Sequence, residues 1–255
     1  MPLPLLKGIV YGPVRSRRLG RSLGINVLPR DLKMCNMNCA YCQYGWTHGR
    51  PPRPGPARWP APDRVEAAVS ARLRQAERTG ELIDRLTVAG HGEPTLHPGF
   101  EEIAERLCRL RDGLAPDVRL AILSNSTTAG RPEIRRALAL FDERYMKLDA
   151  GDPMTYARVN GAGSFGAIVD ALRNLPGVVV QAMFVADDSG DVDNTRDGTL
   201  GAWLEAIDAI QPSRVQVYTL ARAPALGGLQ RPPARRLREI AERVRALGIP
   251  ADVYH

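Results

Sequence analysis

The feature that most constrains this chain is an alternation, repeated about six times, of a short β-rich run with an amphipathic helical run. The β-rich runs fall at 24–28, 86–89, 118–123, 145–148, 178–185, 214–220 and 251–254. The helical runs fall at 61–79, 100–111, 132–141, 164–175, 200–210 and 233–247. In the first of these, Val65, Val69 and Leu73 share a face, Pro62 and Asp63 suit the start, and Gly80 suits the end. Phe100, Ile103, Leu107 and Leu110 recur at core spacing in the next, and Ser164 stands where an N-cap is expected. The run 178–185 reads Val-Val-Val-Gln-Ala-Met-Phe-Val, apolar enough for a strand covered on both faces. Repeated βα units imply a parallel sheet with right-handed crossovers. Six or seven of them in 255 residues predict an α/β fold, a partial (βα)6-type TIM-like barrel of parallel strands. The chain reads as one domain over 1–255, with 1–22 a basic N-terminal extension and 23–255 the barrel core. The Pro/Arg-rich stretch 49–62 joins strand to helix in the first unit, so it reads as a surface loop, placed to act as a lid, rather than a domain boundary.

In parallel α/β proteins, ligand chemistry collects at the carboxyl ends of the strands. Four polar clusters fall there: a cysteine loop after the first strand, Gly90-His91-Gly92-Glu93-Pro94 after the second, Ser124-Asn125-Ser126 after the third and Asp149-Ala150-Gly151-Asp152 after the fourth. Their convergence on one rim predicts an enzyme. The loop holds Cys35, Cys39 and Cys42 at spacings of four and three. Soft thiolates this close suit an iron–sulfur cluster or zinc better than a disulfide framework. A closed zinc site would need a fourth ligand, for which His48 is available. Spacing alone leaves zinc, iron–sulfur and inert buried cysteines open. Cys108 stands apart beside Leu107 in a helix, as a structural thiol would.

The pattern Cys-x3-Cys-x-aromatic-Cys, here Cys35, Cys39, Tyr41 and Cys42, resembles the signature of the radical S-adenosylmethionine (SAM) superfamily. A narrower resemblance, to the wybutosine-synthesis-related radical enzymes, rests on five pieces in order. They are Gly12-Pro13-Val14-Arg15-Ser16-Arg17-Arg18-Leu19-Gly20, Cys42-Gln43-Tyr44-Gly45, Gly92-Glu93-Pro94-Thr95-Leu96, Lys147-Leu148-Asp149-Ala150-Gly151 and Gln216-Val217-Tyr218-Thr219-Leu220. The resemblance implies a [4Fe–4S] cluster on the three cysteines, SAM chelated to its open iron, and a one-electron reductant of flavodoxin or ferredoxin type. It implies reductive cleavage of SAM to a 5′-deoxyadenosyl radical that abstracts hydrogen from a substrate the sequence does not name. The wybutosine synthase itself is similar but carries further N-terminal cysteines or a flavin domain. With no cysteine before Cys35 and no room for a flavin domain in these 255 residues, the tRNA substrate is not expected to carry over.

By the same resemblance, Gly92 and Glu93 match the element that contacts the methionyl amino group, although His91 stands where glycine is usual. Ser124 and Asn125 are candidates for ribose hydroxyls or the carboxylate, with a simple turn as the alternative. Lys147 and Asp149 lie two apart and so face one side of a strand. There Lys147 could meet the methionyl carboxylate and Asp149 the ribose or substrate, or the two could simply pair. Gln181 is expected to line the barrel, Tyr41 to neighbour the adenine, and Tyr218 to Leu220 to offer backbone groups to its edge. Met183 is read as core, and His91 and His97 as packed or solvent-facing.

Charge discriminates less. The net charge is +7, almost all of it from arginine, which permits an anionic partner, RNA included, without requiring one. Arg15, Arg17, Arg18 and Arg21 cluster before the first strand and are candidates to clamp an anionic substrate. No apolar run reaches the ~18–20 residues of a membrane span, and no signal-peptide pattern opens the chain, so a cytoplasmic location is expected. Two other readings compete with the radical enzyme: a tRNA-modifying enzyme of wybutosine type, and a non-catalytic iron–sulfur or zinc-binding protein.

Overall fold

The computed structural model describes residues 2–47, 59–161 and 163–255. Its frame is one eight-stranded sheet in chain order: β1 (Val10–Ser16), β2 (Gly20–Ile25), β3 (Arg85–Val88), β4 (Arg119–Ser124), β5 (Glu143–Lys147), β6 (Val178–Met183), β7 (Arg214–Tyr218) and β8 (Ala251–Tyr254). β1 and β2 form an antiparallel hairpin, and every later pairing is parallel. Six helical crossovers carry the chain from β2 to β8. They are α1 (Pro62–Thr79), α2 (Phe100–Leu114), α3 (Pro132–Ala139), the pair α4 (Pro153–Asn160) and α5 (Phe165–Arg173), α6 (Asp197–Ile210) and α7 (Ala234–Ala246). β1 and β8 stand at the two ends of the sheet, which curls into a half-barrel, the partial TIM-like architecture that the alternation predicts.

The period-two pattern of each strand divides its side chains between two environments. One set, including Leu23, Ile25, Leu86, Val88, Leu120, Ile122, Val180 and Val217, packs against Val69, Leu107, Leu138, Leu172, Ile207 and Ile240 of the helices in one continuous core. The other set turns inside the curl. There Leu19, Ala121 and Tyr145 form a small apolar cluster, and Lys147, Gln181, Gln216 and Tyr218 follow in the alternate register of β5, β6 and β7. The fold therefore has an apolar seam against the helices and an inner face that turns polar toward the carboxyl ends of β5 to β7.

Three expectations need correction. The stretch 1–22 is no extension: it contains β1 and the start of β2, so the first parallel strand ends at Ile25 instead of running over 24–28. Gly12, Pro13 and a register irregularity between Tyr11 and Val14 break the alternation that would have revealed β1. Helix α4 is also additional. Its start was legible in Asp152-Pro153, since Asp152 caps it by accepting from Met154 N and Thr155 N at 3.0 and 2.8 Å, but two turns are too short for a periodic signal. Ser164 stands at the N-cap of α5 as expected, although its side chain makes no capping bond. Cys108 packs partly buried against the core, as a structural thiol. Most of the stretch 49–62, with the lid read from it, lies outside the described residues.

Close packing of backbone on backbone fixes where β5 delivers its residues. Trp203 of α6 is buried, donates from Nε1 to Leu148 O at 3.0 Å, and meets Phe184 edge-on at 5.1 Å. A Cβ on Gly151 would lie 2.0 Å from Trp203 N, whereas one on Gly201, inside α6, would meet nothing within 4 Å. Gly151→Ala is expected to cost about 1–3 kcal/mol through overpacking. Gly201→Ala should gain about 0.5–1 kcal/mol from helix propensity. Urea unfolding of both variants checks the contrast, and a Gly151→Ala protein as stable as wild type would remove the packing account.

Candidate functional site

The segment 26–47 that leaves β2 carries the three cysteines, and backbone contacts hold it to neighbouring elements. Met34 bridges to Gly92, with Glu93 N donating to Met34 O at 2.8 Å. A Cβ on Gly92 would sit 1.7 Å from that oxygen, so the contact requires glycine. Asn38 N and Ala40 N donate to Asn160 O and Val159 O, at the end of α4, at 3.0 and 2.9 Å. Ala40 O accepts from Leu226 N at 2.8 Å and Gln43 O from Leu3 N at 2.7 Å. Met34, Met37 and Ala40 are buried, which leaves Cys35, Cys39 and Cys42 partly buried on a clamped backbone.

Two amides attend the sulfurs. Asn125 Nδ2 lies 3.7 Å from Cys35 Sγ, and Asn160 Nδ2 lies 3.5 Å from Cys39 Sγ. Burial pushes the Cys35 thiol up to about 12, reinforced by Cys39. Burial also raises Cys39 to about 11, against the opposing Asn160 hydrogen bond. These thiols stay protonated near neutral pH unless a bound metal displaces their protons to solvent. Among the described residues no three His, Cys, Asp or Glu side chains gather tightly enough to hold a single metal ion. A four-iron cluster, by contrast, takes each thiolate on a different iron, and three thiols of which Cys39 interacts with both Cys35 and Cys42 fit that donor set. His48, the fourth ligand in a zinc reading, lies outside the described residues.

Two buried carboxylates organise the rim. Asp149 Oδ1 accepts from Lys147 Nζ at 2.7 Å and Met183 N at 2.8 Å. Its Oδ2 accepts from the Tyr41 hydroxyl and from Asn160 Nδ2, the latter at 2.8 Å. Lys147 Nζ also donates to Tyr218 Oη at 2.7 Å and lies 4.8 and 4.7 Å from the Tyr41 and Tyr218 ring centres. Burial works against the Lys147 ammonium, but Asp149 and Tyr218 outweigh it and hold the pKa above its ordinary value. Tyr41 is held well above the ordinary phenol range by burial first and by Asp149 second.

Glu93 is the second carboxylate. Its Oε1 accepts from Thr95 N, Thr95 Oγ1 and Ser124 Oγ at 3.1, 2.6 and 3.0 Å, and its Oε2 accepts from Asn125 N at 2.5 Å. Burial still raises its pKa despite these donors. Glu93 thus fastens the loop after β4 to the loop after β3 and sets Asn125 beside Cys35.

Most residues singled out in the sequence meet here, in two connected groups. Tyr41, Lys147, Asp149 and Tyr218 form one; Gly92, Glu93, Ser124 and Asn125 form the other. Gln181 pairs with Gln216 at 2.8 Å inside the curl. Leu220 packs with Ala40 and Val159 in a small cluster that Tyr41 and Met183 border. His91 and His97 are packed: His91 bonds Pro29 O through Nε2 and accepts from Leu6 N on Nδ1, while His97 contacts Pro60 O and Gly99 N. The sequence reading missed Asn160, which touches Cys39, Tyr41 and Asp149. It also missed Asn194, whose amide nitrogen bonds Asp149 O and Met183 O at 2.7 and 2.8 Å. An isolated Asn carries no spacing signal; only the Asn160-Gly161 helix ending was readable.

Residues 32–180 match the family model described as the Radical SAM superfamily. The chain is 36% identical over 152 residues to a UPF0026 protein of Helicobacter pylori, covering 60% of this chain and 46% of that one. It thus spans about half the length of this curated relative. Among solved structures, a radical SAM methyltransferase from Sphaerobacter thermophilus shares the fold with a TM-score of 0.67 at 19% identity, over 91% of this chain and 65% of that one. Archaeal TYW1 does so with a TM-score of 0.57 at 12% identity, over 89% of this chain and 72% of that one. Among the described residues no helix is long and apolar enough to cross a membrane. With its cysteine loop clamped at the carboxyl ends of a half-barrel's strands, this chain belongs to the radical SAM superfamily, whose members use a [4Fe–4S] cluster and SAM.

Proposed function

We propose that this chain is a radical SAM enzyme that cleaves SAM reductively and abstracts hydrogen from a substrate held inside the half-barrel. The observation that carries this reading is the docking of the three-cysteine loop, through Tyr41, onto the buried Lys147–Asp149 pair at the end of β5. Cys35, Cys39 and Cys42 are the residues that would hold the cluster. When bound, the cluster supplies the single electron that splits the C5′–S bond of SAM into methionine and a 5′-deoxyadenosyl radical. The protein's part is to position, to shield from water and to exclude competing reactions. Asn125 and Asn160 direct N–H groups at two of the sulfurs, a contact that raises the potential of a thiolate-bound centre.

Around the cofactor, Gly92 and the loop fixed by Glu93 bound the methionyl amino end, and Lys147 supplies the cation for its carboxylate. Ser124, Asn125 and Gln181 offer polar groups toward the ribose and the substrate, while Asp149, its oxygens occupied by Lys147, Tyr41, Asn160 and Met183, holds that rim in place. Tyr41, Tyr218 and Leu220 border the adenine. Asn160 Oδ1, buried beside Cys39 without a donor, leaves an acceptor for a bound ligand. The electron donor is assigned to the flavodoxin or ferredoxin class. A tRNA substrate of wybutosine type is the second reading, favoured by the fold shared with archaeal TYW1.

Anaerobic reconstitution with iron and sulfide, followed by SAM and dithionite, is expected to yield 5′-deoxyadenosine from wild type and none from Cys35→Ala, Cys39→Ala or Cys42→Ala. Iron that never binds where zinc does would end the enzyme reading. The Lys147–Asp149 pair has its own test in the unloaded protein. Asp149→Asn strands a buried ammonium and should cost about 3–5 kcal/mol, while Lys147→Met combined with Asp149→Asn should recover most of it. Urea denaturation reads both, and a cost below about 1 kcal/mol, the range of an exposed pair, would show that the pair is no structural tie.

A further inference from the structure

Of the four arginines in the first hairpin, the fold treats one differently. Arg15 and Arg17 are exposed. Arg21 is bound to Asp84: its backbone N donates to Oδ2 at 2.7 Å, and its Nε and Nη2 donate to Oδ1 at 3.1 and 2.5 Å. Arg18 turns inward. Its guanidinium carbon lies 4.1 Å from the Tyr218 ring centre, and its charge acts on Tyr254 of β8. The turn that aims it is pinned on both sides. Ser16 Oγ accepts from Arg18 N and Leu19 N at 3.2 and 3.1 Å, and Leu19 is buried against Ala121 and Tyr145 within the curl.

The Arg18 Nη1 atom is buried without a hydrogen-bond acceptor, and among the described residues no carboxylate pairs with this cation. A guanidinium stacked on an aromatic face keeps its edge open for in-plane hydrogen bonds, and that edge matches the two oxygens of a carboxylate or phosphate. A buried donor left unpaired is costly, which makes an acceptor from a ligand the natural complement. Position adds to chemistry. Lys147, already paired with Asp149, approaches the same Tyr218 ring, so Arg18 stands one ring away from the residues that dock the cysteine loop.

We infer that Arg18 anchors an oxyanion, a carboxylate or phosphate, of a small-molecule substrate inside the half-barrel, beside Tyr218. The inference rests on the radical-enzyme reading for the word substrate, but the binding itself requires neither cluster nor SAM. It is tested on the full chain without SAM or reductant, by calorimetric titration of wild type and variants with inorganic phosphate and, separately, with succinate, with the Arg18 guanidinium NMR signals followed in the wild-type titrations. In wild type one or both probes should shift the Arg18 signals saturably. Arg18→Met should weaken binding at least about tenfold, the value of a charge-assisted hydrogen bond, with Arg18→Lys intermediate and the exposed Arg17→Met unchanged. A response to phosphate alone assigns a phosphate, and to succinate alone a carboxylate. Unshifted Arg18 signals in wild type, equal weakening by Arg17→Met, or a response only to tRNA would each overturn the inference. Failure of 5′-deoxyadenosine formation with intact anion binding would strike the enzyme reading and leave the site standing.

Discussion

The site depends on one buried carboxylate. Asp149 has essentially no exposed surface, and four donors from four parts of the chain converge on it: Lys147 from β5, Tyr41 from the cysteine loop, Asn160 from α4 and the backbone of Met183 from β6. A carboxylate removed from water is tolerable only when such partners replace its hydration. The requirement is reciprocal, since Lys147 would be an uncompensated buried ammonium without Asp149. This mutual need couples a loop, a helix and two strands that share no sequence proximity. It also explains why the cysteine loop, which has little regular structure of its own, can present three sulfurs on a fixed backbone.

Close approach of backbone to backbone complements that electrostatic tie. Gly92 lets Met34 O reach the loop after β3, and Gly151 lets the chain after β5 press against the start of the Trp203 turn in α6. Gly161, in the left-handed region at φ +77°, ends α4 where a Cβ would lie 2.6 Å from Asn38 O. Each of these glycines lies at a junction between a strand-end loop and the element that supports it. The polar contacts choose the arrangement, and the missing side chains make it sterically accessible.

The parts of this architecture that were readable in advance are those written as periodic patterns. Six helices and seven parallel strands follow from hydrophobic spacing because each must bury one face or both. The rule that loops at the carboxyl ends of strands carry ligands puts Glu93, Asn125 and Asp149 on one rim with the cysteine loop, whereas Tyr41 and Lys147 are singled out by the resemblance to radical SAM enzymes. What was not readable depends on tertiary context. Glu93 looked like a ligand contact, and its carboxylate proves to be engaged by Thr95, Ser124 and Asn125. Asn160 and Asn194 are single polar residues whose importance comes from what folds against them. β1 was hidden because its glycine and proline interrupt the alternation by which a strand is recognised.

The basic composition illustrates the same point through charge. Several arginines are committed to ion pairs nearer the surface: Arg106 with Glu66, Arg136 with Glu101, Arg214 with Asp252 and Arg236 with Asp197. Exposed pairs of this kind contribute about 0–1 kcal/mol each and carry no information about a ligand. A net charge of +7 therefore says little about nucleic acid or any other anionic partner. More informative is a cation that the fold turns inward with no acid beside it among the described residues. Arg18 is carried inward by a pinned turn, set against an aromatic ring, and left with a buried donor to satisfy. Partial burial makes such a group selective: for its buried Nη1 an oxyanion replaces the hydrogen bond that water would supply at the surface.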